Sequence, residues 1–219
     1  LELRRTPGTL STTKQNNTMK TRIIAVAITA LCLTAGIADA QTKAEDYTFT
    51  TVKENPVTSI KNQASSSTCW CFSTLSFIES EVLRQNKAIK NLDLSEMFVV
   101  GHSYIDRAEK FVRLDGKLGF SPGSDFGDVF EVIRDYGIVP QSVYSGMNYG
   151  TELPKHAELD AALAGYIGAI VKNPNRNLST AWLNGFKGIV TAYFGEYPET
   201  FTVDGKEYTP ESYRDALGI

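Results

Sequence analysis

The chain has 219 residues, of which 42% are hydrophobic and 21% charged, and a formal net charge of -3. That is the composition of an ordinary globular domain with room for a sizeable core. No basic run or stripe marks the globular part, so nothing points to nucleic acid as a partner.

Residues 1–18 are polar and patternless and precede Met19; they read as an upstream over-extension. From Met19, the positive Lys20 and Arg22 lead into an apolar run from Ile23 to Ile37 that closes on Ala38-Asp39-Ala40. Positive start, short apolar stretch and small-x-small end predict a signal peptide over residues 19–40 and a mature chain of residues 41–219. The expected location is therefore secreted or periplasmic, with no membrane anchor after cleavage. Leu31 stands before Cys32 where a lipoprotein signal needs a small residue, which argues against a lipid anchor.

Residues 41–60 predict an extended entry broken at Asn55-Pro56. No Gly or Pro occurs from Thr68 to Asn86, and Cys71, Leu75, Ile78 and Val82 recur at helical spacing. Serines 65–67 and Thr68 are cap candidates for that helix, and Arg84 and Lys87 suit its end. A second helix is predicted from the cap Ser95 through Met97, Val100 and Tyr104, and Gly116–Gly123 reads as a turn-rich connection. A third helix begins near Asp125, carries Val129, Ile133 and Tyr136, and stops at Gly137. Two more stripes follow: Leu159, Leu163, Tyr166 and Ile170, then Trp182, Phe186, Ile189 and Tyr193 behind the cap Ser179. Asp204-Gly205 predicts a hairpin, and Thr209-Pro210 opens a short helix reaching Gly218.

Cys69 and Cys71 stand at i and i+2, too poorly oriented to bridge. With no His or Cys nearby they make no metal site, and neither cofactor nor metal is expected. Cys71 lies on the apolar stripe and reads as core. Cys69 falls at the first turn of the helix, where unpaired N–H groups and the helix dipole stabilise a thiolate. Gln63, six residues earlier, can fold its amide back toward the sulfur and donate to an oxyanion, with the Cys69 N–H as second donor. Trp70 and Phe72 read as core or cleft wall. Asp125 and Asp128 are explained by the helix dipole, and His102 and His156 read as surface or cap histidines rather than a general base.

The run Gln63-Ala64-Ser65-Ser66-Ser67-Thr68-Cys69-Trp70-Cys71-Phe72-Ser73 resembles the signature of the papain superfamily, as does its lead-in Pro56-Val57 to Ile60-Lys61-Asn62-Gln63. Leu94-Ser95-Glu96 looks like the opening of that family's second helix. Gly123-Ser124 falls where the family has a Gly-Gly that pairs with substrate backbone, so Gly123, Ser124 and Trp70 are candidate substrate contacts. Asp93 to Phe98, Tyr136-Gly137-Ile138-Val139-Pro140, Ser66 in place of a disulfide cysteine, and the helical stretch after Tyr144 are similar to the bleomycin hydrolase and aminopeptidase C branch.

The resemblance implies an α+β fold of the papain type. This chain would be mainly its helical half plus a helical insertion, with the β-rich half missing. It implies a cysteine peptidase of the aminopeptidase type acting on peptide substrates, with Cys69 and Gln63 catalytic, and homo-oligomers for the full-length protein. The family's His and Asn fall beyond residue 219, so an amino-terminal fragment with little activity of its own is expected. The alternative is a non-catalytic peptide-binding or assembly module on the same fold.

Overall fold

The computed structural model describes residues 48–86, 89, 91–174 and 177–219. The predicted over-extension, the signal peptide and Lys87 lie outside the described residues. Lys53–Ile219 forms one compact unit.

Helix α1, Cys69–Gln85, buries Cys71, Leu75, Ile78 and Val82, the stripe expected from their spacing, and buries Glu79 with them. Its start differs from expectation. Thr68 occupies the N-cap but makes no side-chain cap bond. Its hydroxyl is 2.5 Å from the Ser66 hydroxyl instead. Helix α2, Glu96–Arg113, is capped by Ser95, whose Oγ accepts from Phe98 N at 3.1 Å. Asp125 Oδ1 caps helix α3, Phe126–Tyr136, accepting from Gly127 N at 2.7 Å. That helix ends at Gly137 with φ 78°, where an added Cβ would sit 2.2 Å from the Pro210 carbonyl carbon. Only glycine fits there.

Helices α4, Ala157–Val171, and α5, Ala181–Phe194, follow. The cap expected at Ser179 is displaced by one residue. Thr180 is the N-cap, and Ser179 Oγ accepts from Ala181 N at 3.2 Å. Strands β1, Phe201–Val203, and β2, Lys206–Tyr208, pair antiparallel with Phe201 opposite Tyr208. Asp204 and Gly205 make the turn at φ 50° and 76°, the two left-handed residues that a tight hairpin requires. Helix α6, Pro210–Leu217, starts with a reciprocal Thr209–Ser212 capping box.

Helix α2 is the hub, packing against α1, α3, α4 and α5, while α6 rests on α3 and α4 on α5. Its Met97, Phe98 and Tyr104 join Leu75, Leu163 and Phe186 in one core, all at 1% exposure or less. The architecture is six helices and a two-stranded sheet among the described residues, matching the predicted helical inventory. The expected cap role holds for His156, but neither histidine is exposed. His102 is stacked between Tyr136 and Tyr197, each ring centroid 4.1 Å away. His156 is the N-cap of α4 but is wholly buried. Both occupy aromatic cavities that their own short sequence contexts do not reveal.

Candidate active site

The lead-in to Gln63 is fixed by a buried charge cluster. Lys61 Nζ lies 2.5 Å from Glu79 Oε1, 2.9 Å from Asp93 Oδ1 and 3.2 Å from Glu96 Oε1. Glu79, wholly buried on α1, also accepts from Thr58 Oγ1 at 2.5 Å and from Leu94 N at 2.8 Å. Burial by itself would lower the Lys61 pKa, but Glu96, Glu79 and Asp93 outweigh it and hold the ammonium well above its ordinary value. Burial pushes the Glu96 carboxyl up, against the pull of Lys61. One lysine thus ties the segment before Gln63 to α1 and to the start of α2. A carboxylate on the apolar face of α1 was the one sequence sign of this cluster, and its partners are distant in sequence.

Between Gln63 and Cys69 the backbone is strained. Ala64 and Ser67 have φ 46° and 58°, the left-handed region that costs a side-chain-bearing residue about 1–2 kcal/mol. Ser66 is buried at the centre of this loop, and its Oγ donates to the Gln63 carbonyl at 2.8 Å. Gln63 therefore enters the hydrogen-bond network through its main chain. The loop delivers Cys69 to the first position of α1 with its side chain exposed. Cys71, by contrast, is fully buried, its Sγ 3.5 Å from the Glu96 carbonyl. Burial, then Glu96, raises the Cys71 pKa well above that of a free thiol, so it is chemically quiet.

Trp70 brings the other predicted residues to this end of α1. Its Nε1 donates to the Pro122 carbonyl at 3.1 Å, tying the loop that carries Gly123 and Ser124 to the residue after Cys69. Trp70 is buried, so it anchors that loop. Arg107 Nη2 donates to the Ser121 carbonyl at 2.5 Å, and its guanidinium lies 5.8 Å from the Phe120 ring, which holds the loop from α2. Gly123 is exposed with open space around its Cα. Ser124 donates to Asp128 Oδ2, so Asp128 orders this loop in addition to standing in the first turn of α3. The Arg107 anchor has no local motif, and the sequence did not reveal it.

The histidines are held elsewhere. Burial, with a lesser push from Lys187, lowers the His102 pKa to about 4. His156 packs against Phe194 at 5.3 Å and Tyr149 at 6.4 Å. Burial lowers its pKa to about 4 against the Ser66 main chain, which favours the proton. Among the described residues no group of three or more His, Cys, Asp or Glu could hold a metal ion.

An exposed cysteine opens a long helix, the Trp beside it is tied to a glycine loop, and a strained loop carrying Gln63 precedes it. The model for the papain family of cysteine proteases matches residues 44–162, more than half of the chain. The chain belongs to the papain family of cysteine proteases. It is similar to "Cysteine proteinase 1, mitochondrial" of Saccharomyces cerevisiae strains YJM789 and ATCC 204508 / S288c. Each is 25% identical over 125 residues, covering 50% of this chain and 26% of the relative. The crystal structure of PepW from Lactobacillus rhamnosis HN001 shares the fold with a TM-score of 0.51 at 20% identity, over 78% of this chain and 46% of that one. The likeness to the bleomycin hydrolase and aminopeptidase C branch therefore stands. The chain spans about a quarter of the length of the yeast relatives, 26%, and under half of PepW, 46%.

Proposed function

We propose that this chain carries the nucleophile of an exported thiol peptidase that trims peptides from their amino end. The Cys69 thiolate attacks the scissile carbonyl. The resulting oxyanion is held by the Gln63 side-chain amide and the Cys69 N–H. Collapse gives a thioester and releases the amine, which takes its proton from an imidazolium; water then cleaves the thioester to the free acid and regenerates the thiol. The histidine that passes these protons and the asparagine that orients it come from residues beyond these 219. Gly123 and Ser124 pair with substrate backbone, and Trp70 forms the wall beneath them. The segment 19–40 directs export to the periplasm or medium, and the mature protein begins at Gln41. The full-length enzyme forms homo-oligomers.

The observation that carries this reading is the exposed Cys69 at the first position of α1, with the next residue hydrogen-bonded to the loop before Gly123. The test is hydrolysis of fluorogenic aminoacyl amides, with free and with acetylated amino ends, by the natural gene product and its Cys69→Ser variant. Preference for the free amino end and loss of nearly all activity in the variant are expected. An unchanged rate in Cys69→Ser refutes the assignment. One observation favours a second reading, a peptide-binding or assembly module: both histidines are engaged in aromatic packing. Peptide binding without hydrolysis by the complete gene product would select it.

A further inference from the structure

The loop between Gln63 and Cys69 is gripped by a distant piece of chain. Ser65 N donates to the Pro154 carbonyl at 3.2 Å and Ser65 O accepts from His156 N at 3.3 Å, a parallel bridge opposite Lys155. Lys155 N donates in turn to the Tyr149 hydroxyl at 3.1 Å, and the Tyr149 ring rests 5.5 Å from Tyr193 on α5. The gripping segment, residues 149–156, is the entry to α4 and contributes none of the candidate site residues.

Its last residue is an imidazole with no exposed surface. Neither ring nitrogen makes a hydrogen bond of good geometry among the described residues. A buried polar ring without full satisfaction costs on the order of 1–3 kcal/mol, so a leucine here would be the better choice for stability alone. Geometry joins His156 to the loop through its main-chain N–H, which donates to Ser65 O, while its ring packs against Tyr149 and Phe194. The loop above it needs such support. Ala64 and Ser67 are left-handed without being glycine, and backbone of that kind persists only where surroundings over-determine it.

We propose that residues 149–156 form a clamp that sets the Gln63–Cys69 loop, with His156, bonded to Ser65 and packed on Tyr149, as the positioning residue and the Tyr149 hydroxyl fixing Lys155 beside Ser65. The clamp acts through Ser65 and Ser66 and touches no substrate. It rests on the reading of Cys69 as nucleophile.

The test follows alkylation of Cys69 and Cys71 by iodoacetamide, resolved by peptide mass spectrometry from mildly acidic to alkaline pH. The full chain is compared with its His156→Leu, His156→Gln and Tyr149→Phe variants. Buried Cys71 reports unfolding, while exposed Cys69 reports the loop. His156→Leu and Tyr149→Phe are expected to slow Cys69 labelling at mildly acidic pH by roughly three- to tenfold. Cys71 stays protected, and His156→Gln, which keeps a donor and an acceptor, retains most of the parent rate. Parent-like Cys69 labelling in both the Leu and Phe variants overturns the clamp. Gln behaving as badly as Leu overturns the role of the ring. Should His156→Leu expose Cys71 by unfolding, Tyr149→Phe alone decides, by the same two outcomes. A parent Cys69 that stays as unlabelled as Cys71 even at alkaline pH sinks the nucleophile itself, and the clamp with it.

Discussion

Replacing Lys61 by Met removes the one ammonium that faces three carboxylates. Two of these have almost no contact with water: the Glu79 and Glu96 side chains are 0% and 4% exposed. Removing one partner from a buried ion pair costs about 3–5 kcal/mol, because the charge left behind is uncompensated. Glu79 keeps its bonds from Thr58 and Leu94 N, and the apolar methionine stem recovers about 1 kcal/mol by burial. A net loss of about 2–4 kcal/mol follows, which in a domain of this size lowers Tm by roughly 10 °C at 2–4 °C per kcal/mol. Protonation relieves the stranded carboxylates, so the deficit should be largest at neutral pH and shrink as pH falls toward about 4.3, the unfolded glutamate value. Thermal unfolding by circular dichroism at the two pH values measures both. A Tm loss under about 3 °C at neutral pH, or an equal loss at both, would refute the view that Lys61 neutralises a buried charge cluster.

Three other outcomes are expected. Ala64→Gly and Ser67→Gly each release about 1–2 kcal/mol of left-handed strain and add about 0.4–1 kcal/mol of unfolded-chain entropy. A gain of about 0.5–1 kcal/mol per site is the expected sum, read as a raised urea midpoint; a lowered midpoint contradicts the strain. Trp70→Phe keeps the ring but loses the bond to Pro122, at about 1 kcal/mol; amide exchange over residues 116–124 should quicken, and the KM of the complete enzyme should rise more than kcat falls. The folded pKa of His102 and of His156 is depressed to about 4, so the stability they allow is complete above the unfolded value of about 6.5 and is lost as pH falls through about 4, by roughly 3 kcal/mol each. Asp160, raised by burial to about 6, works in the opposite sense; a His156→Gln variant should flatten the acid limb of a Tm–pH curve, and an unaltered limb would show that this histidine does not titrate with folding.

What could be read in the sequence was local chemistry. Ser95, Asp125 and the Thr209-Pro210 pair act on amides two or three residues away, and Asp204-Gly205 needs only its own two φ angles. The placement of Cys69 and the buried stripe behind Cys71 follow from helical spacing in the same way. The parts that were not legible are held by residues far apart in the chain. Trp70 meets Pro122 across 52 positions and Lys61 meets Glu79 across 18. His102 and His156 read as surface or cap residues, and their packing was hidden because the aromatic rings beside them come from other elements. The α1 cap shows the same limit: Thr68 makes no cap bond, and its hydroxyl pairs with the buried Ser66 hydroxyl instead.

The same division explains why a strained loop can sit beside Cys69. Left alone, Ala64 and Ser67 would relax toward ordinary φ values, and the first turn of α1 would move with them. Relaxation is opposed from three sides: by Lys61 before the loop, by Ser66 within it, and by Pro154 to His156 alongside. All three supports lie in residues the structure describes, and none needs a general base. The geometry that presents Cys69 is therefore a property of this helical unit, so the reactivity of its thiol can be measured separately from peptide hydrolysis.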